Sequence, residues 1–234
     1  MSGESEQRPI VVLVPGLWMP AWVMLPLAWR LRRRGHRCVG FGYPSARAAL
    51  DENASRLARF IARLDAEQVH LVGHSLGGVL ALHTAVRHRP AQVRRIVMAG
   101  SPYDDSYTAR RLGRREWGRR ILGHTVRQWL DCERPSAPPG LEVGVIAGTL
   151  ACGLGLVVAP DSERPHDGVI RSSETRVPGM AAYVEVRASH ASMLLSPTVA
   201  RLIDCFLVCG QFDRVQSAAT PLAAKLPELD RERR

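Results

Sequence analysis

The sequence predicts an α/β fold in which a mostly parallel central sheet carries helices on both faces. Short, fully apolar runs, which are typical of strands buried on both faces, alternate with segments whose apolar residues recur every three or four positions. Of the 234 residues, 46% are hydrophobic and 23% are charged, so the chain can bury a full core. This length favours one α/β domain over two small ones.

Strands and helices alternate from Ile10 to Ala99. Apolar runs predict strands at Ile10 to Val14, Cys38 to Tyr43, Val69 to Val72 and Ile96 to Ala99. Helical spacing predicts helices from Trp22 up to Gly35, at Leu50 to Leu64 and at Leu80 to Val86. Such an alternation is typical of a doubly wound sheet with right-handed crossovers.

The segment 103–139 interrupts this alternation, because it is rich in arginine and ends in a proline-rich stretch. We interpret it as a small helical, lid-like insertion over the sheet edge; the alternative is a surface helix pair with no part in a functional site. Strands resume at Val143 to Ala147 and Tyr183 to Val186, and Ser196 and Pro197 open the last helix as N-cap and first helical residue. We expect one domain over 1–211 and a polar tail over 212–234.

The formal net charge of +10 comes from arginine, since Lys225 is the only lysine. The arginines are spread over several predicted helices without an aromatic platform for stacking bases, which favours solvated faces over a nucleic-acid partner. The apolar run Val143 to Ala159 contains glycines and is too short for an integral membrane span. We therefore expect neither a nucleic-acid partner nor a membrane span.

The five cysteines form no CxxC pair and no metal-ligand spacing with histidine. The polar stretch Met1 to Pro9 lacks the apolar segment of a signal peptide. These features predict a cytoplasmic protein with reduced thiols and without a metal or cofactor.

Gly73-His74-Ser75-Leu76-Gly77 matches the pattern G-x-S-x-G between a predicted strand and a predicted helix. In such a sharp turn the serine stands above the sheet, and the small residues Gly73 and Gly77 avoid a clash. The helix that starts at Leu76 points its amide groups and positive dipole end at the turn. Ser75 is therefore a candidate nucleophile; the alternative is a serine that only caps the helix.

The sequence resembles the α/β-hydrolase family, and within it the small bacterial lipases and carboxylesterases. The resemblance covers most of the chain and is carried by 11–18, the elbow 73–78, Gly100-Ser101-Pro102, Asp167-Gly168-Val169 and Ser189-His190. It implies that the backbone amides of Leu17 and Leu76 form an oxyanion hole. Pro15 stands where the family has a histidine, which leaves open how that loop is braced.

The family order of serine, acid and histidine implies that Asp167 and His190 complete a catalytic triad with Ser75. His190 follows a predicted strand, at the carboxyl end of the sheet where open α/β sheets bind ligands. Asp167-Gly168-Val169 resembles the acid motif of the lipases, and Asp161 is the rival acid. Each of the two aspartates has a simpler interpretation as a turn residue, and His190 as a structural histidine.

These residues favour a serine hydrolase that cleaves a small-molecule ester through an acyl-enzyme. Trp18, Met19 and Met193 adjoin the motifs and favour an apolar acyl group, unless they belong to the core. Two alternatives remain: a thioesterase or acyltransferase with the same triad, and a non-catalytic binding protein of this fold. Neither the natural substrate nor the oligomeric state follows from the motifs.

Overall fold

A computed structural model describes residues 8–153 and 155–213. Its centre is a six-stranded, all-parallel sheet with the strand order β2-β1-β3-β4-β5-β6. The strands are β1 Ile10–Val14, β2 Arg37–Gly40, β3 Val69–His74, β4 Val93–Ala99, β5 Glu142–Gly148 and β6 Ala182–Val186. The parallel arrangement brings the carboxyl ends of all six strands to one edge, which carries the candidate site.

Helices cover both faces of the sheet, as the sequence predicts. They are α1 Leu25–Arg32, α2 Leu50–Ala62, α3 Leu76–His88, α4 Tyr107–Gly113, α5 Glu116–Asp131, α6 Gly155–Val158 and α7 Pro197–Cys209. Short 3-10 turns lie at Ala21–Met24, Ser172–Thr175 and Ser192–Leu195. The predicted cap of α7 is confirmed, since the Ser196 hydroxyl accepts a hydrogen bond from the Val199 amide at 3.3 Å.

Alternate residues of β1 point into two separate apolar layers. Val12 packs with α2 and α3 on one face of the sheet. Val11 and Leu13 pack with α1 and α7 on the other face. β1 is therefore buried on both sides, which explains its continuous apolar sequence.

The apolar residues that predict this helix in the sequence, one in the preceding 3-10 turn and two in α1, lie on the solvent side. Trp22, Leu25 and Trp29 are 67%, 53% and 53% exposed. The opposite face, with Leu27 and Leu31, is buried against the sheet. The helical spacing predicts the helix but not its orientation, because both faces carry large apolar side chains.

The segment 103–139 contains α4 and α5, and α5 packs against α2. The Asn53 amide donates to the Thr125 hydroxyl at 2.9 Å, and that hydroxyl donates to the carbonyl of Ala48 at 2.7 Å. Inside α5 the chain kinks at Gly123, whose φ is +67°. A helical insertion is therefore present, and its function as a lid stays a prediction.

After β5 the predicted glycine-rich loop includes the short helix α6. Of the predicted tail, residues 214–234 lie outside the described residues. Within 8–153 and 155–213, no helix combines the length and apolar character that crossing a bilayer requires.

Candidate active site

Ser75 occupies a sharp turn between β3 and α3. Its backbone has φ 53° and ψ −127°, a conformation that costs a non-glycine residue about 1–3 kcal/mol. The Ser75 amide donates to the carbonyl of Ala99 at 3.0 Å, which ties the turn to the end of β4. The Ser75 side chain is partly exposed and makes no capping hydrogen bond to α3. The capping interpretation of Ser75 therefore has no support in the geometry.

The backbone passes so close to Gly77 that only glycine fits there. A Cβ atom on Gly77 would lie 2.6 Å from the carbonyl oxygen of Pro15 and closer still to that of Val14. A Cβ atom on Gly73 would meet the backbone of Gly77 and Gly78. The two elbow glycines thus let α3 start directly against the end of β1.

The backbone amides of Leu17 and Leu76 are both close to Ser75. Leu76 is the first residue of α3, so its N–H has no partner inside the helix. Among the described residues, the Leu17 N–H donates to no acceptor. A Cβ atom on Gly16, next to Leu17, would lie 3.1 Å from Cβ of Ser75. Neither of the two predicted oxyanion donors is therefore paired with a described residue.

Two hydrogen bonds brace the loop in which Pro15 replaces the family histidine. The Tyr43 hydroxyl donates to the carbonyl of Pro15 at 3.0 Å, and the Trp18 amide donates to Ser45 Oγ at 2.9 Å. Burial raises the pKa of Tyr43, so this hydroxyl keeps its proton. Both partners follow β2, and no motif in the sequence points to them.

Two hydrogen bonds connect Asp167 and His190. Asp167 Oδ2 lies 2.7 Å from Nδ1 of His190, and the His190 amide donates to the carbonyl of Asp167 at 2.8 Å. Asp167 Oδ1 accepts from the amides of Val169 and Ile170 at 2.9 and 2.7 Å. The carboxylate is 1% exposed, and donors satisfy both of its oxygens. This arrangement fixes the orientation of the imidazole.

His74 connects this pair to the elbow. Its Nε2–H donates to the carbonyl oxygen of His190 at 2.8 Å, and the two imidazole rings lie 4.8 Å apart. Burial, reinforced by the nearby His190, lowers the pKa of His74 to about 3, so its ring is neutral. Sequence reasoning missed this contact, which joins residues 116 positions apart.

Gly100 marks the point where the elbow and the Asp167–His190 pair meet. A Cβ atom on Gly100 would lie 3.1 Å from Asp167 Oδ2 and 3.3 Å from His190 Nδ1. Gly100 directly follows Ala99, which accepts the amide hydrogen bond of Ser75. The structure thus brings all three predicted residues to the same end of the sheet. Within the described residues, neither Ser75 Oγ nor His190 Nε2 forms a hydrogen bond.

Asp161 lies apart from this pair. Its exposed carboxylate accepts from the Tyr107 hydroxyl at 2.9 Å and from the Arg111 guanidinium at 2.8 Å. The Tyr107 hydroxyl and Arg111 lower its pKa. The geometry therefore pairs His190 with Asp167 and uses Asp161 to hold α4.

The described residues hold no group of three or more histidine, cysteine or acidic side chains that is arranged to bind a metal ion.

A family model described as "Alpha/beta hydrolase family" matches residues 11–230. The putative carbamate hydrolase RutD of Pantoea ananatis (strain LMG 20103) is 33% identical over 85 residues, which cover 36% of this chain and 30% of RutD. The 2-hydroxymuconate semialdehyde hydrolase of Pseudomonas sp. (strain CF600) is 39% identical over 83 residues, which cover 34% of this chain and 29% of that protein. Each match therefore spans less than a third of the curated relative.

Solved structures share the fold over most of the chain. The mature lipase BlEst2 of Bacillus licheniformis superposes with a TM-score of 0.67 at 18% identity, covering 87% of this chain and 92% of the lipase. The metagenomic carboxyl esterase MGS0156 superposes with a TM-score of 0.62 at 15% identity, covering 86% of this chain and 75% of the esterase. The type II thioesterase BorB from the borrelidin biosynthetic cluster superposes with a TM-score of 0.56 at 19% identity, covering 86% of this chain and 92% of the thioesterase. At these identities the likeness shows the fold alone.

Proposed function

This chain belongs to the alpha/beta hydrolase family, and from that membership we propose that it cleaves carboxylic esters with Ser75 as nucleophile, His190 as base and Asp167 as acid. One observation carries the proposal. Ser75 has a strained backbone and, among the described residues, a hydroxyl without a hydrogen bond. It lies at the same end of the sheet as the His190 imidazole, which the buried Asp167 carboxylate orients. Strain and a dedicated imidazole–carboxylate pair at one place are typical of a nucleophile and its base.

In the proposed reaction, His190 Nε2 accepts the proton of Ser75 Oγ while Oγ bonds to the ester carbonyl carbon. The carbonyl electron pair moves to its oxygen, and the amides of Leu17 and Leu76 stabilise the resulting oxyanion. When the tetrahedral intermediate collapses, the alkoxide leaves and takes the proton from His190. Water then hydrolyses the acyl-enzyme by the same sequence of steps.

Asp167 stabilises the imidazolium that forms in each step. Its Oδ2 fixes the His190 Nδ1–H, so Nε2 carries the lone pair that accepts the serine proton. The hydrogen bond between Ser75 and His190 forms when substrate binds, because such bonds are often long or misaligned in free enzymes.

Apolar side chains near the site fit an apolar acyl group. A Cβ atom on Gly16 would lie 3.1 Å from Sδ of Met19, and one on Gly100 would lie 3.0 Å from Sδ of Met193. Met193 is fully buried, so it belongs to the core as well as to the surroundings of the site. We propose that the partly exposed Met19, whose thioether adapts readily in shape, packs against a short acyl chain.

A fluorophosphonate probe and a chain-length series of aryl esters test the proposal. We expect the probe to modify Ser75, as read by mass spectrometry of the labelled peptide, and Ser75→Ala to abolish both labelling and turnover. His190→Ala should remove turnover to a similar degree. Absence of labelling in the native chain would instead favour the non-catalytic binding protein of the same fold.

A further inference from the structure

A cleft of about 810 Å³ lies between the loop after β2 and helix α5. Trp18 from the candidate oxyanion loop lines it, together with Ala46 on one side and Gly123 and His124 on the other. Its volume falls in the range of small-molecule sites. Ser75 and His190 do not line the cleft, so it would receive a part of the substrate that is remote from the scissile bond.

The two walls of the cleft are held together by specific contacts. The amide of His124 donates to the carbonyl of Ala46 at 2.8 Å, and the Trp18 indole donates to the carbonyl of Ile121 at 2.7 Å. A Cβ atom on Gly123 would collide with the backbone of Ala46, and Gly123 has a positive φ that favours glycine. The kink at Gly123 therefore allows α5 to approach the loop after β2.

The charge of the cleft is strongly positive. Five arginines line it: Arg47, Arg114, Arg119, Arg120 and Arg127. The only carboxylate among its lining residues is Glu116, which pairs with Arg120 at 3.1 Å. The other four guanidinium groups form no ion pair or hydrogen bond with any residue in 8–153 or 155–213. Unpaired like charges around one cleft repel each other, and a multiply charged anion relieves that repulsion.

Trp18 connects the cleft to the loop that adjoins the Ser75 turn. Gly16 contacts the Ser75 turn, and Trp18 follows Gly16 by two residues, which corresponds to a Cα separation of at most about 8 Å. The apolar surroundings of Met19 and Met193 suit the acyl group, whereas a cleft lined with arginine does not. The cleft is therefore suited to the leaving group.

From these observations we propose that the arginine-lined cleft binds a phosphate-bearing leaving group of the ester or thioester substrate. This inference rests on the proposed function. Guanidinium groups bind phosphate oxygens through paired hydrogen bonds, and a phosphate monoester carries about −1.5 to −2 charges at neutral pH. The positive charge of several arginines around one cleft therefore matches a phosphate group better than it matches a ligand with a single carboxylate.

Two matched substrate pairs with one acyl group test the inference. For thioesters, butyryl-coenzyme A is compared with S-butyryl-N-acetylcysteamine, which lacks the phosphates. For oxygen esters, butyryl glycerol phosphate is compared with monobutyryl glycerol. We expect kcat/KM to favour the phosphate-bearing member of at least one pair by about tenfold or more, mainly through KM. The pair that shows the preference identifies the leaving group as a thiol or an alcohol.

The double variant Arg119→Gln/Arg127→Gln should lose this preference while its turnover of the neutral members stays the same. The matched control is Arg59→Gln/Arg94→Gln, which removes the same charge from exposed positions on α2 and β4 outside the cleft. The control should keep the preference. Raising the salt concentration to about 0.5 M should weaken it in the native protein, because exposed charges are screened.

The inference is overturned if neither pair shows a preference, or if the cleft variant keeps the preference that the native protein has. In both cases turnover of the neutral members leaves the proposed function intact. If no member of either pair is cleaved and Ser75 is not labelled by the fluorophosphonate, the proposed function fails together with the inference.

Discussion

The imidazole of His74 donates a hydrogen bond to the backbone carbonyl of His190 over 2.8 Å. The residue directly before the candidate nucleophile therefore holds the backbone of the candidate base. His74 is buried and neutral, with its Nδ1 unpaired among the described atoms, so this bond is the polar contact of its ring. We interpret His74 as a positioning residue, which acts on the reaction through His190.

Substitution at His74 should lower kcat more than it raises KM. His74→Leu removes the donor, and we expect kcat for aryl esters to fall about 10- to 100-fold, since a displacement near 1 Å at a catalytic group has an effect of that size. His74→Gln retains an N–H donor and should recover much of the loss. Steady-state kinetics on both variants checks the prediction, and equal kcat values for the two would contradict it.

The acid of the site is tested by two matched aspartate substitutions. Asp167→Asn should lower kcat on the order of a thousandfold or more, because the neutral amide cannot stabilise the imidazolium and permits the wrong tautomer. Asp161→Asn is the control, since that carboxylate is exposed and bonded to Tyr107 and Arg111. It should leave kcat nearly unchanged. The reverse order of the two effects would assign the acid to Asp161.

The backbone strain at Ser75 should appear in the stability of two inactive variants. Ser75→Ala keeps a Cβ atom at φ 53°, whereas Ser75→Gly relieves the strain. We expect the glycine variant to exceed the alanine variant in free energy of unfolding by about 1–2 kcal/mol, although glycine is more flexible in the unfolded chain. Urea denaturation of the two proteins measures the difference. An alanine variant more stable than the glycine variant by about 0.4–1 kcal/mol, the usual effect of glycine flexibility in the unfolded chain, would show that the elbow carries no strain.

The buried His70 on β3 should make the protein less stable in mild acid. Burial, with a smaller contribution from Arg95 and His36, lowers the pKa of His70 from 6.5 to about 4. Below pH 6.5 the unfolded chain therefore binds the proton that the folded chain excludes. The contribution of the neutral His70 to the free energy of unfolding is fully present above pH 6.5. It declines by about 1.4 kcal/mol per pH unit towards pH 4.

The variant His70→Gln isolates this contribution, because other groups also titrate in that range. Between pH 7 and pH 5, the native protein should lose about 2 kcal/mol more free energy of unfolding than the variant does. Urea denaturation at the two pH values provides the comparison. Parallel losses in the two proteins would show that His70 does not titrate in this way.

Features with a local physical cause were predictable from the sequence. β1 follows from a continuous apolar run, and the elbow at Ser75 from glycines where the backbone passes too close for a side chain. The contact between His74 and His190 was not predictable, because it depends on how residues 116 positions apart meet in the fold. The orientation of α1 was also not predictable, because Leu25 and Trp29 make its exposed face as apolar as its buried one.

Two hydrogen bonds connect helix α4 to the chain segment that contains Asp167 and Glu174. Thr108 Oγ1 donates to the carbonyl of Val169 at 2.6 Å, and the Tyr107 amide donates to Glu174 Oε1 at 2.7 Å. A chimera that exchanged 103–139 alone would have to supply another donor to the buried Glu174 carboxylate. Successful transplantation of the insertion into a related sheet therefore requires 161–174 to be transferred with it, so the two segments form one unit for protein engineering.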